Sequence, residues 1–215
     1  MSRKRAFTLI ELLVVISIIL IATSVLFLGT GGGEGLKLSS AQRIVSGIAQ
    51  GARGQALLKN TSTRIIIYSE NNTSEDLDKA LRFFGIIYQN PENENEWFAA
   101  TQGDYLPEGI YFDPDLSSGN NWPGTTMNLE YPRQRAQPET GPEYYYYEFD
   151  ANGTMSNNPS FSNSWLVLRA GTLKPGNAEI IDFSEEEKSG LKAALIFRRV
   201  GTTTKVSDPD EITAN

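Results

Sequence analysis

A chain of 215 residues with no cysteine, no histidine and a formal charge of −7 leaves few chemical routes open. Disulfide staples and thiolate metal sites are excluded by the missing sulfur, and Ser-His or Cys-His nucleophiles and His-ligated zinc by the missing imidazole. The acidic balance argues against a broad phosphate-binding surface, which relies on clustered Lys and Arg.

The chain opens with MSRKRAFTLIELLVVISIILIATSVLFL. Residues 7–28 are 22 in number, and only Thr8, Glu11, Ser17, Thr23 and Ser24 among them are polar. At about 1.5 Å rise per residue, such a helix spans the roughly 30 Å core of a bilayer. A secretory signal peptide has a shorter apolar core followed by a small-residue cleavage site, and neither is present. Arg3, Lys4 and Arg5 precede the run without an acidic neighbour, so the positive-inside rule puts residues 1–6 in the cytoplasm and the remainder outside. Glu11 is the exception in this run, since an ionised group in hydrocarbon costs several kcal/mol unless paired or drawn to the interface. Two accounts are open: the positive end of the helix macrodipole holds it near the interface, or it has a partner.

The string RKRAFTLIE at residues 3–11 resembles the class III leader of type IV pilins and pseudopilins, with the cut between Ala6 and Phe7. The resemblance implies several things at once. A membrane-embedded aspartyl prepilin peptidase removes the basic leader, and Phe7 becomes a methylated N-terminus. Glu11 then pairs with the terminal amine of a Phe on this or an adjacent subunit, which fixes axial register because an unpaired buried charge costs several kcal/mol. Ala6 stands where the family usually has Gly. The implied partners are the peptidase, other pilin or pseudopilin subunits and the cytoplasmic membrane, crossed once with the head outside.

Residues 29–35, GTGGGEG, hold five glycines, each costing about 1 kcal/mol in a helix relative to Ala. This predicts a break: a hinge that lets the head reorient, or a plain linker. In related pilins the helix commonly continues through this region. Helical spacing resumes over 36–59, with Ala41, Ile44, Val45, Ile48, Ala49, Ala52 and Ala56 on one face and Ser39 or Ser40 placed to cap the start. Gly47, Gly51 and Gly54 form a neighbouring stripe that permits close packing. Seven strands are predicted beyond it, at 65–68, 83–88, 109–112, 144–149, 165–169, 179–183 and 194–200. Helix then strands implies an α+β fold, with the amphipathic helix packed on an antiparallel sheet or small sandwich. The expected organisation is leader 1–6, assembly helix 7–28, hinge 29–35, one pilin-like head 36–206 containing a turn-rich insertion at 113–142, and a loose acidic tail 207–215.

Within the head, IAQGARGQALLKNTSTRIIIY at 48–68 resembles the helix-to-strand junction of H-type pseudopilins of type II secretion and FimT-like minor pilins, carried by Arg53, Ala56 and the strand from Arg64. YLPEGIYF at 105–112, YYYYEFDANGTM at 144–155 and the closing ALIFRRVGTTTKV are similar to later strands of that subfamily, in the same order.

Other constellations have simpler explanations. Asp113, Asp115 and Gly119, and Asp150, Asn152 and Gly153, imitate parts of a calcium loop without its closing Glu and are expected to be turns. In a strand, two of the four rings from Tyr144 to Tyr147 must face away from the main core, either into cross-strand packing or toward a partner. Arg198, Arg199 and Lys205 are the basic concentration of the head. They read as a solvated strand face, and as the place where nucleic-acid contact would fall, although nucleic acid is not an expected partner. The resemblance implies a structural subunit, a minor pseudopilin or minor pilin. The alternative is a pilin whose head binds DNA or a surface ligand. No catalytic residue, cofactor or metal is expected, and an anchored enzyme is the remaining class.

Overall fold

The computed structural model describes residues 9–28, 33–71, 76–118, 126–132, 141–155, 163–175 and 180–212. Helix α1 covers Leu9–Leu28 and helix α2 Gly33–Lys59. Gly33 and Gly35 thus belong to α2, which starts earlier than the spacing predicts, and Ser39 and Ser40 lie inside the helix rather than at its cap. The rest of the glycine tract falls outside the described residues.

Twelve strands follow among the described residues: β1 (Thr63–Tyr68), β2 (Phe83–Asn90), β3 (Asn93–Ala99), β4 (Asp104–Tyr105), β5 (Ile110–Ser118), β6 (Thr126–Asn128), β7 (Glu143–Phe149), β8 (Asn163–Ala170), β9 (Thr172–Leu173), β10 (Ile181–Asp182), β11 (Lys192–Arg198) and β12 (Thr203–Val206). The first sheet runs β3-β2-β1-β7-β6, with β4 also on β2; the second runs β12-β11-β8-β5; β9 and β10 form a short ladder. Neighbouring strands pair antiparallel throughout. The fold is α+β, with α2 packed on antiparallel sheet.

The packing follows from the periodicity. Ala41, Ala49, Ala52 and Ala56 retain no exposed surface, and these small side chains let α2 approach both sheets. Ile65 and Ile67 of β1, Tyr145, Tyr147 and Phe149 of β7, Leu166 and Leu168 of β8, and Leu195 and Phe197 of β11 close the same core around it. Gln42, buried on this face, donates from Nε2 to the carbonyls of Ala194 (3.0 Å) and Val206 (2.8 Å). It thereby ties the helix to the outermost pair of the second sheet.

Alternation along β7 sends Tyr144 and Tyr146 to the opposite face of the first sheet, as a period of two requires. There they are buried in a second cluster with Ile66, Tyr68, Phe83, Ile87, Trp97, Met127 and Leu129. All four tyrosines are accounted for by packing. Arg64 completes this layer: its guanidinium lies between the rings of Trp97 (4.2 Å) and Tyr146 (4.0 Å), and its Nε is 2.6 Å from Glu148 Oε2. Such stacking favours a planar cation.

Three details depart from expectation. The turn-rich stretch 113–142 contains most of β5 and all of β6. The expected strand at 179–183 shrinks to Ile181–Asp182, paired with β9. The tail is fastened as far as it is described: Ile212 is buried, and Lys192 Nζ donates to its carbonyl at 2.7 Å.

Candidate assembly surfaces

Helix α1 has no polar face in its described part. Leu9, Ile10, Leu12, Leu13, Val14, Val15, Ile16, Ile18 and Ile19 are all exposed, and at 100° per residue they cover the whole circumference. A helix apolar all round is stable only inside a membrane or a protein bundle. Ser17 does not interrupt this, because its hydroxyl donates back to the Leu13 carbonyl at 2.9 Å. Counting only the described residues, no helix is long and apolar enough to cross a membrane. The described side chains of α1 end at Ile19, however, while its helical backbone has 20 residues, about 30 Å at 1.5 Å each. Ala6 and Phe7 lie outside the described residues. Glu11 sits on the first turn of α1, and its side chain is likewise outside what is described.

The head presents two distinct ends. At one, the segment after β1, the bulged second half of β5 and the β10 region enclose a cleft of about 330 Å³ lined by Glu70, Asn71, Leu81, Pro114, Asp115, Ile180, Ile181 and Phe183. Glu70 Oε1 accepts the Tyr145 hydroxyl at 2.9 Å, while its Oε2 is buried with no hydrogen-bond partner among the described residues. Burial raises the Glu70 pKa above the ordinary carboxylate value, the charges of Glu143 and Asp115 add to the rise, and hydrogen bonds from the backbone and Tyr145 offset part of it. Glu143 is held by Ser69 (2.9 Å) and Asn71 (3.0 Å).

Of the two imitations of a calcium loop, Asp150 and Asn152 form a turn as expected, whereas Asp113 and Asp115 lie in the bulged part of strand β5. Asp113 Oδ1 accepts the amides of Asp115 and Leu116 at 3.0 Å each, and its Oδ2 pairs with Arg169 at 3.2 Å. Asp150 Oδ1 accepts the amides of Asn152 and Thr154 at 2.9 Å, and Oδ2 the Thr154 hydroxyl at 2.7 Å. Gly119 is outside the described residues. Among the described residues no group of three or more His, Cys, Asp or Glu side chains is disposed to hold a metal.

The other end is the β11–β12 turn, where Arg198, Arg199 and Val200 are exposed and Arg198 donates to Asn163 Oδ1 at 3.1 Å. Beside it runs a groove of about 430 Å³ along α2, lined by Gln50, Arg53, Gly54, Leu57, Gly201, Thr202 and Thr203. Arg53 Nε donates to the Gly153 carbonyl at 3.0 Å. Gly201, with φ +78°, passes so close to that carbonyl that a Cβ would lie 2.0 Å from it. Lys205 does not join the arginines: it pairs with Leu195, so it shares the strand face of Leu195 and Phe197, opposite to that of Arg198. The structure therefore joins two of the three basic residues and separates the third. Sequence reasoning missed Glu70, which follows an apolar strand like any turn residue, because its partners Tyr145 and Asp115 come from strands far along the chain.

These surfaces define a class: an all-apolar N-terminal helix carrying one carboxylate, joined to an α+β head. Residues 1–27 match the family described as the prokaryotic N-terminal methylation motif, so the N-terminal segment is of prepilin type. The structure is similar to the crystal structure of the type IV minor pilin FimU of Pseudomonas aeruginosa (strain PAO1), at 11% identity, covering 83% of this chain and 92% of that one, with a TM-score of 0.40. No curated protein matches the chain.

Proposed function

We propose that the protein is a structural subunit, a minor pilin or minor pseudopilin, of a type IV pilus or type II secretion-like fibre. Prepilin peptidase cuts between Ala6 and Phe7 from the cytoplasmic side, and Phe7 is methylated. Helix α1 anchors the chain in the cytoplasmic membrane by a single pass and then packs among the helices of neighbouring subunits. Glu11 pairs there with the amine of Phe7. The observation that carries this reading is the match of residues 1–27 to the methylation motif, joined to a helix that is apolar all round. Intact-mass spectrometry of the protein recovered from its native membrane tests it. The expected chain begins at a methylated Phe7; a chain retaining residues 1–6 would overturn the processing route.

A second reading, a pilin whose head takes up DNA, rests on the exposed neighbours Arg198 and Arg199. With Lys205 on the opposite strand face, they form a point rather than a stripe that could follow a phosphate backbone, and the structural role is preferred.

A further inference from the structure

Among the described residues, the two main sheets end on β3, β6, β5 and β12. Three of these outer strands are barred to a further strand. Strand β3 carries Glu94 and Glu96 and a register break beside Asn90, β5 carries Pro114 and a register break between Asp113 and Ser118, and β6 is three residues long. Charge, proline, bulges and shortness are the usual bars. Strand β12 pairs with β11 without a break and holds no proline, and its Thr204 and Lys205 are exposed.

The ladder fixes which backbone groups of β12 face outward. The Arg198 amide donates to the Thr202 carbonyl at 2.8 Å, and the alternation of an antiparallel pair then directs the amides and carbonyls of Thr203 and Lys205 away from β11, to the open edge. The side chains of these two residues project toward α2, as their pairing with Phe197 and Leu195 of the main core requires. Beside them runs the groove of about 430 Å³ between β12 and α2, with Leu57 exposed along it. A Cβ on Gly54 would meet nothing within 4 Å, so the groove has room for side chains from outside.

The charge around this edge is of one sign. Residues 36–59 contain four Lys or Arg, residues 198–206 contain three, and neither segment has an Asp or Glu. In the adjoining turn the Asp150 carboxylate accepts from Asn152 and Thr154 of that same turn. Asp208, Asp210 and Glu211 follow beyond the far end of β12. Lys205 therefore repels basic chains from the edge and leaves it open to an acidic one.

We infer that the open edge of β12 takes an extended acidic segment of a different protein as a further strand, with alternate side chains entering the groove along α2. Main-chain bonds to Thr203 and Lys205 supply the attachment, and the groove selects the side chains. That the occupant is a different chain rests on the minor-subunit reading above, since such a subunit meets other chains rather than itself.

Fluorescence anisotropy on the full-length chain in detergent micelles tests this with labelled peptides of equal length. One alternates Glu and Val, one alternates Lys and Val, and one is the Glu-Val peptide methylated on every backbone nitrogen. The unmodified Glu-Val peptide is expected to bind about ten-fold or more tighter than either of the others. Gly54→Leu fills the groove, and Leu favours a helix over Gly. It should weaken the Glu-Val peptide about ten-fold without lowering the melting temperature. Lys205→Glu should abolish the preference for the acidic peptide. No binding, equal binding of the methylated peptide, indifference to Gly54→Leu, or tighter binding of single-stranded DNA or anionic vesicles overturns the inference. Self-association that Gly54→Leu abolishes gives the edge to a second copy and overturns it as well. None of these readouts involves Phe7 or fibre recovery, so failure here leaves the fibre reading standing, and an uncut leader leaves the peptide result standing.

Discussion

Glu70 shows what a single carboxyl does when a strand ends inside a protein rather than in water. Its pKa in the folded head is raised above 4.5, so the folded state favours the protonated form. The stability this contributes is complete below the ordinary carboxylate range and is lost as pH rises through the raised value. Glu70→Gln keeps an acceptor for the Tyr145 hydroxyl and removes the charge. It is expected to raise the melting temperature at pH 7 and leave it unchanged near pH 4, as read by near-ultraviolet circular dichroism; equal melting temperatures at pH 7 would refute the burial argument. Gly85 is the opposite case, where a missing side chain matters. A Cβ there would lie 2.2 Å from Tyr131 Oη, and that hydroxyl donates to the Thr101 carbonyl at 2.7 Å. Gly85→Ala is expected to cost about 1–3 kcal/mol in denaturant unfolding. The cost should shrink in a Tyr131→Ala background, since residues in contact do not add.

At the scale of elements, Gln42 is the joint between layers. Gln42→Leu leaves the Ala194 and Val206 carbonyls without their donor, a loss of about 1–3 kcal/mol. The expected readout is hydrogen exchange that rises in β12 while β1 and β7 stay protected. The elements that sequence reasoning found share a property: their partners impose a period. The apolar positions of α2 repeat every three or four residues because one face meets two sheets, and β1, β7, β8 and β11 are long, aromatic or β-branched. The elements it missed lack that signature. Strand β3 begins Asn-Glu-Asn-Glu and lies on a sheet edge, where charged side chains guard against unwanted pairing and erase the usual strand pattern. Strand β6, three residues long, exists through its pairing with β7, which the local string does not encode. The acidic cleft was hidden for the same reason, since Glu70 and Tyr145 meet across 75 positions.

At the scale of the whole molecule, an apolar helix is joined to an α+β head. Under the proposed function, Glu11→Ala should leave the amount of protein in the membrane fraction unchanged and lower its recovery in sheared fibres by about ten-fold or more, because the register-fixing charge pair is gone. Normal recovery would remove Glu11 from assembly. The joint at Gln42 also sets a schedule. It links positions 164 apart, so at about 5–20 residues per second an interval on the order of ten seconds separates the making of its two halves. A chain released before residue 203 has both helices intact, yet β12 is missing and Gln42 keeps only its bond to the Ala194 carbonyl. The final strand thus completes the hold of the second sheet on the helix, and a product truncated ahead of it is expected to be cut faster by protease than the whole chain.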